Sequence, residues 1–241
     1  MEDFRDYLEV VCQAPRLRGT CRTYVEMEVV DRQRLSPPEE YDPFGGFLDL
    51  MVQNVVLEEN PELGEKSLEE EKPKEKVERL PVLEGICKYA AGHVLLVGRP
   101  GSGKTTALER LLVQEAEAAR EDSTARIPVL IRLRDLDDST VLERMRLELE
   151  QGLSLEIDQI KKLLGAGRFL VLLDGVNELP SEKMQREVES FRRLCRRTTP
   201  MIFTTRELNV GLDMGIEKKL EMQPLNEKQM QEFTCRYLGQ E

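Results

Sequence analysis

Apolar positions change their period several times along the chain, and each change marks an element. Phe4, Tyr7, Leu8 and Val11 recur at helical spacing and predict a short amphipathic helix over residues 2–12. Over residues 23–30 the period drops to two, with Val25, Met27 and Val29 on one side and Glu26 and Glu28 on the other, which predicts a half-buried strand. Residues 36–46, from Ser36-Pro37-Pro38 to Gly45-Gly46, read as loop. Residues 47–57 are apolar but fit helix and strand equally. From residue 58 the composition turns to Glu, Lys, Pro and Gly, too poor in apolar side chains to offset chain entropy; residues 58–79 are expected to be a charged, flexible linker. Residues 1–57 then form either a small docking or sensing domain or an α+β extension packed on the larger domain beyond the linker.

Past residue 79 the pattern becomes regular. Residues 77–91 are helix-like, with Pro81 tolerable only in a first turn. Val94 to Val97 is a short apolar strand, and Leu108, Leu111 and Leu112 mark a helix over 106–120. Residues 127–133 form a second core strand. Thr140 and Glu143 make a capping box for a helix ending near Gln151-Gly152, and another helix covers 155–164. The unbroken run Phe169 to Leu173 marks a strand covered on both faces, as in parallel sheets. A long helix over 181–197 turns Val188, Phe191, Leu194 and Cys195 inward; strands follow at 201–204 and 220–222, and Asn226 with Gln229 caps a last helix. Strands alternating with helices predict an α/β fold, doubly wound around a mostly parallel sheet.

A chain of 241 residues has room for a sizeable core, and its formal charge of −11 argues against a general grip on nucleic acid or anionic membrane. The five cysteines are scattered and form no C-x-x-C pair, which suits a reducing, cytoplasmic setting better than disulfides or zinc. The start Met-Glu-Asp-Phe-Arg-Asp lacks the pattern of a signal peptide, and no apolar run approaches the ~18 residues of a membrane span.

The densest chemistry lies between the strand at 94–97 and the helix after it. Gly98-Arg99-Pro100-Gly101-Ser102-Gly103-Lys104-Thr105 satisfies G-x-x-x-x-G-K-[ST] at every position. Glycines let successive backbone N–H groups wrap a phosphate chain, and the helix that follows directs its unpaired N–H groups at the same anion. The nucleotide-binding set is therefore Gly98, Pro100, Gly101, Ser102, Gly103, Lys104, Thr105 and Thr106. Lys104 is expected to reach the β- and γ-phosphates and Thr105 to offer its hydroxyl to Mg²⁺.

A second cluster lies at strand ends. Asp174 closes the buried strand at the carboxyl edge, where open α/β sheets bind ligands, and is the expected Mg²⁺-holding carboxylate of a P-loop NTPase. Glu178 is expected to orient and deprotonate an attacking water, against the plainer role of a carboxylate favouring a helix start. Arg206, in Thr204-Thr205-Arg206, is placed to sense a γ-phosphate or else to pair with Glu207 or another carboxylate. Arg192, Arg193, Arg196 and Arg197 either complement a helix end or donate a finger to a neighbouring subunit. The lone histidine, His93, is assigned no role.

Together these stretches resemble the NACHT subgroup of the STAND NTPases, signalling ATPases that include animal Nod-like receptors and bacterial defence and regulatory proteins. Gly98 to Thr106, Ile127-Pro-Val-Leu-Ile-Arg-Leu-Arg-Asp135, Leu172-Leu-Asp-Gly-Val-Asn-Glu-Leu179, Ile202-Phe-Thr-Thr-Arg206 and Met222-Gln-Pro-Leu-Asn-Glu-Lys-Gln-Met230 carry the likeness, over roughly residues 82–238. The resemblance implies an ASCE or AAA+-like nucleotide-binding domain over residues 80–241, with the Thr204 strand between the phosphate-loop strand and the Asp174 strand. It also implies ATP (less often GTP) with Mg²⁺, slow hydrolysis, an ADP-bound resting state, homo-oligomerisation on activation, and a protein partner or effector that the sequence does not name. Lys104, Thr105, Asp174, Glu178 and Arg206 take the family roles. Asn177 stands where the subgroup usually has an acid, which bears on hydrolysis rather than binding. Family members continue into a small helical domain near where this chain stops, so a truncated or a minimal member is expected.

Three functions compete. The first is a slowly hydrolysing ATP-driven switch. The second is a nucleotide-dependent interaction module with negligible turnover, suggested by Asn177. The third is a small-molecule kinase, for whose lid Lys218 and Lys219 are the available cations.

Overall fold

The computed structural model describes residues 3–34, 75–136, 139–206 and 215–239. Two compact units divide the chain: Met1–Asp31 with Glu78–Glu241, and Arg32–Val77. Of the second unit only the far ends of two strands are described, and the stretches read above as loop at 36–46, as apolar at 47–57 and as linker up to 74 lie outside the described residues.

The chain opens with helices α1 (Arg5–Gln13) and α2 (Pro15–Thr23), then strand β1 (Glu28–Arg34). Strand β2 (Glu75–Pro81) leads into helix α3 (Val82–Tyr89), strand β3 (His93–Val97) and the long helix α4 (Lys104–Glu121). After β4 (Ile127–Arg132) come α5 (Val141–Leu149), α6 (Ile157–Gly165) and β5 (Phe169–Asp174). The last elements are α7 (Glu182–Cys195), β6 (Met201–Thr205), β7 (Lys218–Met222) and α8 (Glu227–Leu238).

The strands form one sheet in the order β2-β1-β7-β3-β6-β5-β4. From β7 to β4 every pairing is parallel; β1 runs antiparallel to β7, with Val30 opposite Glu221. Successive residues Val94, Leu95 and Leu96 are all buried, as are Val171, Leu172 and Leu173, so the central strands are covered on both faces. The fold is α/β with a mostly parallel sheet, as the alternation of elements predicts. β6 lies between β3 and β5 and brings the end of the Thr204 strand beside both the phosphate loop and Asp174.

Several boundaries differ from expectation for local reasons. Residues 75–79, the end of the expected linker, are strand; a charged alternating segment such as Lys76-Val77-Glu78-Arg79-Leu80 gains order from an outer sheet position that its composition does not reveal. The helix expected over 77–91 accordingly begins only at Val82, after Pro81 has ended β2. Helix α2 has no apolar stripe to announce it and buries mainly Leu17; Pro15 in its first turn is the one signal it carries. Leu194, expected inward, is 72% exposed. The buried stripe of α7 runs Met184, Val188, Phe191, Cys195, and at 100° per residue Leu194 lies roughly 90° round from its centre.

Residues 4–31 share the core of the larger unit. Phe4 meets Phe169 edge-on at 5.9 Å, and the Tyr7 hydroxyl donates to the carbonyl of Pro128 at 2.9 Å. A Cβ on Gly152 would come within 2.3 Å of the Tyr7 amide nitrogen, so the α5–α6 turn admits only glycine against the backbone of α1. At the other side Asp31, 2% exposed, accepts from Lys218 Nζ at 2.8 Å and from the Tyr89 hydroxyl at 2.6 Å, while the same ammonium lies 3.9 Å from the Tyr89 ring centre.

Candidate functional site

The loop between β3 and α4 is built by backbone conformations that glycine makes accessible. Gly101 and Gly103 have φ of +75° and +85°. A Cβ at Gly103 would also lie 2.3 Å from Met27 Sδ, and one at Gly98 would lie 2.8 Å from Met222 Cβ. Two methionines, one entering β1 and one ending β7, thus press on the loop from outside. Nothing in the G-x-x-x-x-G-K-[ST] spacing points to them.

Inside the loop the Lys104 ammonium donates to the carbonyls of Gly98 at 2.7 Å and Arg99 at 2.9 Å, and to Ser102 Oγ at 3.3 Å. Its pKa is lowered chiefly by burial; Asp174 and Glu178 oppose the depression and Arg206 adds to it. The cation is held at the mouth of the loop on weak neutral acceptors, ready to exchange them for an anion. Pro100 and Gly101 are exposed beside it, and Thr106 is half-buried in the first turn of α4.

Thr105 Oγ1 donates to Asp174 Oδ2 at 2.8 Å. Asp174 Oδ1 accepts from Thr204 Oγ1 at 2.6 Å, and that hydroxyl accepts from the Gly175 amide at 2.8 Å. The loop helix, the β5 carboxylate and the β6 end form one hydrogen-bonded chain across three elements.

Gly175 (φ +89°) turns the chain out of β5 into a 3-10 turn, Val176–Glu178. There Glu178 Oε1 accepts from the Arg206 guanidinium at 2.8 Å, and Asn177 Oδ1 accepts from the Arg206 amide at 3.0 Å. Of the two readings of Arg206, the geometry includes a carboxylate partner, and it is Glu178; Glu207 lies outside the described residues. Around the end of α7, Arg192 is buried, Arg193 pairs with Glu189 at 2.5 Å and Arg196, just past the helix, with Glu217 at 3.2 Å. His93 Nε2 lies 3.3 Å from the Thr199 carbonyl, with its pKa lowered chiefly by burial. All five cysteines are free thiols.

The sequence reading missed Glu109. It is 4% exposed, four residues after Thr105 on the same face of α4, and accepts from Arg132 at 3.1 Å, Arg16 at 2.7 Å and Thr20 Oγ1 at 2.8 Å. A glutamate set among Leu108, Leu111, Leu112 and Val113 was the available signal, since an unpaired carboxylate does not survive in an apolar stripe.

The residues present fit a magnesium nucleotide. One carboxylate and one hydroxyl converge beside a lysine and a loop with two glycines at positive φ, which suits a cation shared with phosphate oxygens. Among the described residues no group of three or more His, Cys, Asp and Glu side chains is arranged to hold a metal by itself, and no helix is long and apolar enough to cross a membrane.

A parallel sheet with this loop after one strand and the carboxylate two strands away defines a nucleotide-binding P-loop NTPase domain. The model of the NACHT domain matches residues 93–241, and the chain belongs to that family. No curated protein matches it. Similar solved structures include a DNA replication initiation factor, 17% identical over 66% of this chain and 49% of that one, with a TM-score of 0.43. Others are AMPPCP-bound DnaA from Aquifex aeolicus (16% identity, 66% and 49%, TM-score 0.40) and PCH-2 of C. elegans (17%, 56% and 36%, TM-score 0.38). This chain thus spans about half or less of the length of those structures.

Proposed function

We propose that the chain is a Mg²⁺-dependent ATP-binding switch that hydrolyses slowly, keeps ADP at rest and assembles with further copies when ATP replaces it. The observation that carries this reading is the chain of hydrogen bonds Thr105–Asp174–Thr204 beside the Lys104 ammonium. Lys104 grips the β- and γ-phosphates with the amides of Gly101, Ser102 and Gly103, while Gly98, Pro100 and Thr106 shape the two ends of the loop. Thr105 and Asp174 hold the cation. Bound Mg²⁺ neutralises phosphate charge and orients the reacting group. Glu178 accepts the proton of the attacking water, and Arg206 links that carboxylate to the β6 edge as the γ-phosphate sensor. Free thiols and a charge of −11 support a cytoplasmic protein whose partners are other proteins rather than nucleic acid or membrane.

Lys104→Ala tests the reading: it removes charge-assisted bonds worth about 1.5–3 kcal/mol, so Mg-ATP affinity falls about tenfold to a hundredfold in a fluorescence titration. Unchanged affinity overturns it. Competition with GTP in the same titration settles the base.

A second reading is favoured by one specific contact. Glu178 is already engaged by Arg206 and Asn177 supplies no second acid, which suits a nucleotide-dependent interaction module with negligible turnover. Single-turnover hydrolysis separates the two: a switch loses at least about tenfold in rate on Glu178→Gln, whereas a module shows the same background before and after. Of the two lysines the kinase reading calls on for a lid, Lys218 is spent on buried Asp31.

A further inference from the structure

Glu109 and Thr105 lie one turn apart on α4 and reach the sheet at two adjacent places. Thr105 meets Asp174 at the end of β5, and Glu109 meets Arg132, the residue that pairs with Asp174 across the β4–β5 register. The helix is therefore pinned at two points to one rung of the sheet, which fixes its rotation as well as its distance. The same carboxylate is covered from the opposite side by α2, through the Arg16 guanidinium at 2.7 Å and Thr20 Oγ1 at 2.8 Å. Glu109 is 5% exposed at its side chain, so each donor removed leaves a buried charge short of a partner.

We propose that Glu109 is a positioning residue for Thr105, and that helix α2 sets its hold: the N-terminal segment tunes the affinity for the metal-bound nucleotide without touching the nucleotide. The inference rests on the reading of Thr105 as the residue that offers its hydroxyl to Mg²⁺. With Arg16 and Thr20 in place, Glu109 keeps Arg132 and holds α4 at the angle that sets Thr105 Oγ1 beside Asp174. Without them Glu109 turns toward solvent, α4 rotates by a fraction of a turn, and the hydroxyl leaves the carboxylate. Lys104, the first residue of α4, is tied to the loop through the carbonyls of Gly98 and Arg99, so the metal-independent part of the affinity stays.

The test is a double variant, Arg16→Ala with Thr20→Val, titrated with ATP in Mg²⁺ and in EDTA. Arg16 is 59% exposed, so its removal opens no cavity, and Arg132 remains as a partner for the Glu109 carboxylate. The expected result is an about fivefold loss of the Mg²⁺-dependent gain in affinity, at the low end of ordinary coupling between sites, with the EDTA affinity unchanged. In a Thr105→Ala background the double variant produces no further loss, because it acts through that hydroxyl. Hydrogen exchange of the nucleotide-free protein supplies a readout apart from binding: amides 107–109, the first to bond within α4, lose protection in the double variant. Equal losses in Mg²⁺ and EDTA, or losses that persist undiminished in the Thr105→Ala background, overturn the inference. Wild-type protein whose affinity ignores Mg²⁺ overturns the parent reading, and this inference with it, before any variant is made.

Discussion

Thr204 carries two obligations with one oxygen. It donates to Asp174 and accepts from the buried amide of Gly175, and thereby holds the Asp174 carboxylate and the turn behind it in one arrangement. Thr204→Val keeps the shape and removes both bonds. Leaving a buried amide unpaired costs about 1–3 kcal/mol, so thermal unfolding shifts down and Mg-ATP affinity falls with it, while Thr204→Ser retains most of both. The loop that carries Lys104 and Thr105, and the strand end that carries Asp174, were legible in the sequence because each is marked by a pattern within one short segment. The loads on Thr204, Glu109 and the two loop-pressing methionines were not, because each is defined by a neighbour distant in the chain or on another strand.

At the scale of elements, the caps read from the sequence are the ones that form. Thr140 and Glu143 close a reciprocal box at the start of α5, and Asn226 with Gln229 does the same for α8. Thr140→Ala therefore lowers stability by about 1 kcal/mol in a denaturant titration, with nucleotide affinity unchanged, since α5 packs against β4 away from the loop. Capping is local in sequence, and local rules suffice to find it. Strand β2 and helix α2 follow no such rule: β2 exists because β1 offers it a sheet edge, and α2 because α4 offers it a surface and Glu109 a partner.

At the scale of the molecule, the two ends of the parallel strands are unlike. The carboxyl ends carry the nucleotide site. The amino ends of β4 and β5, with α3 and α4, border a cleft of about 490 Å³ lined by Ile86, Leu111, Leu170, Arg126, Arg168 and Glu115. Burial raises the pKa of Glu115 and Arg126 opposes the shift. A carboxyl with a raised folded-state pKa favours the fold below its unfolded value of about 4.5 and loses that contribution as pH rises through the folded value. Glu115→Gln is therefore expected to raise the melting temperature at pH 7 and to lose this advantage below about pH 4, where the carboxyl is neutral in both states; a scan of melting temperature against pH reads it directly.

The sequence by itself determined the α/β alternation, the phosphate loop and the order of its chemical groups, because periodicity, glycine conformation and capping act over a few consecutive residues. Only the tertiary structure decided that β1 and β2 extend the sheet beyond β7, that Arg206 meets Glu178, and that Arg16 and Thr20 converge on Glu109. Those pairings depend on which strands become neighbours and which buried charge must find a partner, and both are settled by burial of the whole sheet rather than by any segment of it.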